Sequence, residues 1–248
     1  MNTHFKKNIL ITGASGGIGQ AIALRLASPE TNLILHYHRN DVRAEEVAAH
    51  ARKKGSAVLP VRADIGCFDE VENAVLAAQN TFGAIDVLVN SAGLSAYGLV
   101  QDISLEEWER LFRVNVQGLF HTCRLVVPGM VSQKWGRIIN LSSMWGLVGA
   151  ANESLYASTK GAVNAFTKSL AKELVYSGIT VNAIAPGAVQ TKMLDALSAA
   201  DLRVLLDEIP TGRLIQPGEI ADWVAHLLQP SCDNLTGQII SPNGGLVI

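Results

Sequence analysis

A tyrosine and a lysine four residues apart, Tyr156 and Lys160 in "SLYASTK" (154–160), follow two serines, Ser142 and Ser143, in "INLSSMWG" (139–146). Residues i and i+4 share one face of a helix, so a helix here holds a phenol beside an ammonium group. Reducing a ketone by hydride transfer generates an alkoxide unless a proton arrives as charge develops. A free tyrosine, with a pKa of about 10, holds its proton too tightly for easy exchange at neutral pH. The charge of Lys160 one turn away favours the phenolate and is expected to lower that pKa. A serine hydroxyl can donate to the substrate oxygen and stabilise the same developing charge in a dry site. Taken alone, the spacing would also suit an exposed Tyr–Lys surface pair.

A second chemical signal lies near the start of the chain, in "TGASGGIGQAIA" (12–23). Gly13, Gly17 and Gly19 stand where a strand must turn tightly into a helix. Glycines there let backbone amides approach a pyrophosphate, and the helix N-terminus favours its negative charge. A bare tight turn would serve the fold equally well, but between a first strand and a first helix the pattern points to a dinucleotide. The spacing is GxxxGxG, which departs from the commonest GxGxxG fingerprint. In such sites an Asp or Glu ending the second strand holds a ribose 2′-hydroxyl, whereas an Arg accommodates a 2′-phosphate. Here Tyr37 occupies the acid position and is followed by His38 and Arg39, which favours NADP(H). Alternatively, Arg39 is a solvated loop charge paired with Asp41. His36 and His38 alternate on a strand without further ligand spacing, so no metal is expected.

Positioning these groups requires a scaffold, and the chain spells one out. Seven short β-rich runs, at 8–12, 32–37, 57–61, 85–90, 136–142, 179–184 and 237–241, alternate with helical patterns. The helical stretches fall at 18–27, 41–54, 69–82, about 104–131, 154–177 and 217–229. Apolar strands alternating with helices predict a parallel sheet covered on both faces. With no linker, repeat or low-complexity segment, residues 1–248 read as one doubly wound, Rossmann-type α/β domain with a seven-stranded parallel sheet. The stretch 187–212 carries Leu194, Leu197, Leu202, Leu205 and Leu206 but no strand pattern. It reads either as a short helical pair packed on the core or as a substrate lid, and its place after a strand's C-terminal end favours the lid.

Composition narrows the function classes. Of 248 residues, 48% are hydrophobic and 17% charged, enough for a large core and too apolar for disorder. The 20 basic and 22 acidic residues are interspersed, without the basic stripe of a nucleic-acid protein or a one-sign tail for a membrane surface. No cleavable leader or spanning segment is recognisable, and Cys67, Cys123 and Cys232 are scattered, odd in number and unlike a disulfide framework. A cytoplasmic protein is expected.

Seven ordered motifs bind these signals together: "TGASGGIG" (12–19), "AD" (63–64), "NSAG" (90–93), "VNV" (114–116), "LSS" (141–143), "YASTK" (156–160) and "IAPG" (184–187). The chain thereby resembles the short-chain dehydrogenase/reductase family over essentially its whole length. Its ending, "GRLIQPGEIADWVAHLL" followed by "LTGQIISPNGG", looks most like the subgroup that reduces 3-oxoacyl groups on acyl-carrier protein. The resemblance implies a catalytic set of Asn115, Ser143, Tyr156 and Lys160; Ser143 is favoured over Ser142 because it precedes Tyr156 by the family's usual separation. Lys160 would resupply the proton of Tyr156 through the cofactor ribose and a water held by Asn115. Cofactor contacts would come from Gly13, Ser15, Gly17, Ile18, Gly19, Arg39, Asp64, Ile65, Asn90, Ala92, Gly93, Tyr156 and Lys160. Within that set Asp64 would meet the adenine, while Pro186, Gly187 and Thr191 would close around the nicotinamide. The usual "NNAG" is "NSAG" here, with Ser91 at the second position.

The substrate is less constrained. Tyr97, Trp145 and Leu147, with Met193 and Leu194 of the lid, suit either an apolar channel mouth for an acyl or aromatic chain or packing in the core or an oligomer. In the resembling reductases, basic residues near the entrance attract the acidic carrier protein; Lys134, Arg137, Lys168 and Lys172 are the candidates here, although the residue before Gly178, often Arg, is Ser177. NADPH-dependent reduction of a 3-oxoacyl thioester is the leading expectation, with a specialised acyl chain or a free small molecule also compatible. A dehydrogenase of a sugar, polyol or cyclic alcohol is the alternative, and a non-catalytic dinucleotide sensor a remote third. The family resemblance further implies a homotetramer, or failing that a dimer, burying the long helices and the apolar C-terminus "NGGLVI".

Overall fold

The computed structural model describes residues 6–191, 194 and 199–248. Seven strands, β1 (Lys7–Ile11), β2 (Thr31–Tyr37), β3 (Ala57–Arg62), β4 (Val87–Asn90), β5 (Gly136–Leu141), β6 (Ile179–Ile184) and β7 (Ile239–Ile240), form one sheet in the order β3-β2-β1-β4-β5-β6-β7. Every neighbouring pair is parallel. The unbroken apolar run along β1 explains why the sheet is buried on both sides. Ile9 and Ile11 face α1 (Gly17–Leu26), α2 (Asp41–Lys53) and α9 (Pro217–Leu227), through Ile22, Val47 and Val224. Leu10 faces the opposite layer, formed by α3 (Phe68–Phe82), α5 (Gly118–Gln133) and α7 (Ser154–Leu174), through Val75, Val126 and Val163.

The chain winds outward from β1 to β3, then returns to pair β4 with the other side of β1. That reversal opens a crevice beyond the C-terminal ends of β1 and β4, where a doubly wound sheet takes its ligand. Thr12 secures the crevice floor: its Oγ1 accepts the Ser91 and Ala92 N–H groups, each at 3.0 Å, and so joins the exits of β1 and β4.

Some elements differ from the sequence expectation. The long helical pattern at 104–131 is three pieces: α4 (Leu105–Phe112), a π turn (Arg113–Gln117) and α5. The apolar period persists across them, which is why the residues alone do not reveal the widened turn. A one-turn helix, α6 (Trp145–Val148), follows β5, and β7 spans two residues where five were expected. Within 187–212, α8 (Ala199–Glu208) carries Leu202, Leu205 and Leu206, and Val189 forms a parallel bridge to Ile215 that no strand pattern announces. Met193 and Leu197 lie outside the described residues, so the helical-pair and lid readings of this stretch rest on its flanks.

Gly19 sits on the inner side of α1, where an added Cβ would fall 2.3 Å from the Gly13 carbonyl oxygen. Backbone at that distance cannot yield as a flexible side chain would. Gly19→Ala is therefore expected to cost about 1–3 kcal/mol, as overpacking does, seen as an earlier midpoint in chemical denaturation.

Candidate active site

β5 delivers Ser142 and Ser143 to the crevice, and α7 faces them. Ser142 donates to the Lys160 carbonyl at 3.2 Å, and its own N–H bonds the Ile184 carbonyl at 2.7 Å, so β5, β6 and α7 meet at one point. Tyr156 lies in the first turn of α7, hydrogen-bonded to the hydroxyl of Ser143. Lys160 follows one turn later, its Nζ 5.6 Å from the phenol ring centroid. The close approach of α6 depends on Gly146, where a Cβ would lie 2.6 Å from the Lys160 carbonyl carbon.

The electrostatics depart from the sequence expectation. Tyr156 is not lowered: burial, the larger effect, pushes its phenol up to about 12 despite the Ser143 hydrogen bond, and the nearby Glu153 charge adds to the rise. Burial likewise pulls Lys160 down to about 8, because both charged forms lose solvation in the same place. The lysine Nζ donates to the Leu141 carbonyl at 2.8 Å. An ammonium carries three donors, and this is the single hydrogen bond from Nζ among the described residues.

Asn115 sits in the π turn, a feature that recurs at functional sites. Its amide is used inward: Oδ1 accepts the Leu94 N–H at 2.8 Å, while Nδ2 donates to the Leu94 carbonyl at 2.9 Å and to Thr159 Oγ1 at 3.0 Å. The side-chain amide thus clamps the loop after β4. Gly93, in that loop, lies beside the site; a Cβ there would be in ordinary contact with Asn115 Oδ1 at 3.4 Å and Lys160 Nζ at 3.5 Å.

The glycine loop brings Gly13, Ser15, Gly17, Ile18 and Gly19 to the other lip of the crevice. Gly13 adopts φ +65°, and a Cβ on it would fall 2.8 Å from Ala92 Cα. A Cβ on Gly17 would meet Thr191 Cγ2 at 2.9 Å, so Thr191 packs directly against the loop. Pro186 accepts the Met144 N–H at 3.0 Å, and Gly187 donates to Pro242 at 3.0 Å, which fixes the exit of β6 beside them. Ile65 is buried against Gly118. Asp64 accepts the Gly66 N–H at 2.9 Å and faces the Arg113 guanidinium at 3.7 Å, shaping its own loop. Asn90 lines a small cavity together with Thr12, Ala92 and Asn115. Its Nδ2 donates to Asn140 Oδ1 at 2.9 Å and to Cys123 Sγ, and its Oδ1 accepts from Thr122 at 2.8 Å, so it locks β4 to β5 and α5. Arg39 is exposed at the end of β2 and forms no ion pair with Asp41 among the described residues.

These residues fit a dinucleotide. Gly13, Gly16, Gly17 and Gly19 keep the loop low in side chains, and the buried Lys160 ammonium has donors left for hydroxyl groups of a ligand. Ser143, Tyr156, Lys160 and the loop of Gly93 lie along the same edge.

At the mouth, Tyr97 is 76% exposed and Leu147 44%, while Trp145 is half-buried, which removes the core-packing reading for the first two. Asn152, held at φ +62°, clasps the opposite loop: its Nδ2 donates to Tyr97 Oη at 3.2 Å and its carbonyl accepts the Gly98 N–H at 2.7 Å. The basic residues are placed differently from expectation. Arg137 is buried at the N-terminal end of β5, ion-paired to Asp233 and stacked 4.6 Å from the Trp135 ring. Within the chain, Lys134 lies at that same end, and Lys168 and Lys172 occupy the half of α7 remote from Tyr156. In the C-terminal tail Leu246 and Val247 are half-buried, the Val247 carbonyl accepts from Asn243 Nδ2 at 2.7 Å, and Ile248 is fully exposed.

Several site residues escaped the sequence reading. Thr12, Thr159 and Asn140 act through buried side-chain bonds that leave no periodic trace. Glu153 bonds Trp145 and is pushed up by burial; its position three residues before Tyr156 was the available signal.

A family model described as short chain dehydrogenase matches residues 7–202. An uncharacterized oxidoreductase of Bacillus subtilis, YmfI, is 42% identical over 241 residues, covering 96% of this chain and 98% of that protein. The 3-oxoacyl-(acyl-carrier-protein) reductase FabG of Staphylococcus aureus is 39% identical over 240 residues, covering 97% and 98%. Among solved structures, a variant actinorhodin polyketide ketoreductase with NADPH aligns with a TM-score of 0.93 at 31% identity, covering 99% of each chain.

Because Lys160 titrates near 8 when folded and near 10.5 when unfolded, the unfolded chain binds the extra proton between those values. Lys160→Met should therefore stabilise the fold below pH 8, by about 1–3 kcal/mol after the lost Leu141 bond is discounted. The gain should vanish above pH 10.5, and turnover should be abolished throughout. Denaturant midpoints at pH 7 and 10 check the sign.

Proposed function

The chain belongs to the short chain dehydrogenase family, and from that premise we propose that it reduces a 3-oxoacyl thioester, best presented on acyl-carrier protein, to the 3-hydroxyacyl form with NADPH. The observation that carries the reading is the convergence of Ser143, Tyr156 and Lys160 at the edge of the glycine-lined crevice. A reduced nicotinamide bound in that crevice would supply hydride to the substrate's carbonyl carbon. Ser143 donates a hydrogen bond to the carbonyl oxygen, where negative charge develops. Tyr156, which burial keeps protonated, gives its proton to the developing alkoxide, a far stronger base than the phenolate left behind. Once the proton has left, the Lys160 ammonium stabilises the phenolate and resupplies it. Asn115 holds the Leu94 backbone and thereby the wall beside Lys160.

NADP(H) is favoured by Tyr37 in place of an acid and by the unpaired Arg39, and the solved ketoreductase with NADPH agrees with it. The acyl substrate is supported by the similarity to the Staphylococcus reductase and by the exposed apolar mouth. Residues 187–212, anchored by the Val189–Ile215 bridge and by Thr191 over Gly17, form the lid in this reading. A second reading, a free sugar, polyol or cyclic alcohol, is favoured by Arg137 being locked to Asp233 and by Ser177, which weaken the carrier-docking surface. Exposed Leu105, Trp108 and Phe120 on α4 and α5 suit assembly into a cytoplasmic homotetramer, with a dimer as the smaller alternative.

Offered NADPH or NADH with a short 3-oxoacyl thioester, the purified protein should oxidise NADPH, and Tyr156→Phe should be slower by at least two orders of magnitude, the lower end of general acid–base contributions. Silence with both cofactors, followed by turnover of a polyol with NAD⁺ or NADP⁺, would replace the leading reading with the second. Arg39→Ala should raise the KM for NADPH roughly tenfold or more, the loss of a charge-assisted hydrogen bond, and leave that for NADH unchanged.

A further inference from the structure

His36 stands next to last in β2, 5% exposed, with no part in the proton transfer. Both ring nitrogens are bonded, each to a different lip of the crevice. Nδ1 accepts the Gly13 N–H at 3.3 Å, and Nε2 lies 3.0 Å from the Ala63 carbonyl. Since Nδ1 accepts, the tautomer is assigned: the proton sits on Nε2, which donates to Ala63. The backbone reinforces the same two contacts, for the His36 carbonyl accepts the Ala14 N–H at 2.9 Å and the next carbonyl, of Tyr37, accepts the Ala63 N–H at 3.0 Å. Gly13 opens the glycine loop, and Ala63 precedes Asp64.

We propose that His36 is a positioning residue for dinucleotide binding: a neutral imidazole strut that sets the separation between the glycine loop after β1 and the Asp64 loop after β3. The inference rests on the dinucleotide reading of the crevice. An aliphatic side chain would fill the same space but leave the Gly13 N–H and the Ala63 carbonyl to relax independently. Burial supports the role by pulling the imidazole down to about 4, so the Nδ1 lone pair remains available at neutral pH. Leu10, Val61, Ile65 and Val75 line the small cavity beside the ring together with Thr12 and Thr122, whose hydroxyls bond Ser91, Ala92 and Asn90.

The test compares wild type with His36→Leu, His36→Asn and His36→Gln, reading the dissociation constant of NADPH by fluorescence titration, thermal midpoint and kcat at saturating cofactor. The loss of one hydrogen bond to the loop is expected to weaken NADPH binding about tenfold in His36→Leu, equivalent to about 1.4 kcal/mol, with kcat preserved. His36→Asn, whose Oδ1 can replace the Nδ1 acceptor, should recover affinity to within about threefold of wild type, a partial loss typical of a weakened hydrogen bond. His36→Gln, whose amide nitrogen can reach Ala63 but whose Oε1 sits one bond beyond the Nδ1 position, should not. If the Leu variant fails to fold, the Asn and Gln variants decide: equal affinities overturn the proposal. Unchanged affinity in a folded Leu variant overturns it as well. ¹⁵N NMR of the ligand-free protein should show Nε2 protonated and Nδ1 bare at pH 7; the reverse tautomer is a third refutation. Absence of saturable NADPH or NADH binding by wild type would overturn the dinucleotide reading and this proposal together, whereas wild-type binding with unaltered variants overturns this proposal alone.

Discussion

A buried ammonium with one hydrogen bond is the condition around which the rest of this site is arranged. Lys160 is packed behind Ser142, Gly146 and Leu141, out of reach of bulk water, and the Leu141 carbonyl is the acceptor it has. Burying such a charge is costly unless it is paired, so the fold carries a standing penalty at the point where function needs a cation. That penalty explains the surrounding tightness. β5 must end at Leu141 for its carbonyl to be free, α6 must present a glycine, and α7 must begin two residues before Tyr156 so that the lysine falls beneath the phenol.

The supports are themselves polar and buried. Asn90, Asn140, Thr122 and Thr167 form a chain of side-chain bonds from β4 through β5 to α5 and α7. Each member is fully buried or nearly so, and each is satisfied by the next, which is the condition under which a polar network rigidifies a core rather than weakening it. Asn115 and Thr159 extend the same principle to the π turn. The reacting groups are thus held by directional bonds, while the sheet's apolar faces carry the bulk of the stability.

Much of this was legible in the residues. Apolar strands alternating with helical patterns led directly to a parallel sheet covered on both faces, and the glycine loop after the first strand pointed to its doubly wound form. Tyr156, Lys160 and Ser143 were legible because spacing on a helix and position after a strand are local properties. What escaped was set by tertiary burial: the raised phenol of Tyr156, the inward turn of Asn90 and Asn115, and the locked state of Arg137. A guanidinium in "KWGR" looks like a surface charge until the Trp135 ring and Asp233 are brought to it by the fold. His36 escaped for the same reason; alternation with His38 suggested a ligand pattern to be dismissed, whereas its partners are backbone groups 23 and 27 residues away.

The clasp between Asn152 and the Tyr97–Gly98 turn joins two loops that leave adjacent strands, β4 and β5. It lies at the rim, outside the apolar layers. The aperture of the cleft is therefore governed by parts separable from those that hold the reacting groups. Replacing residues at this rim would redraw which molecules pass through while the machinery beneath keeps its geometry, so a chain of this design can diversify its diet without renegotiating its core.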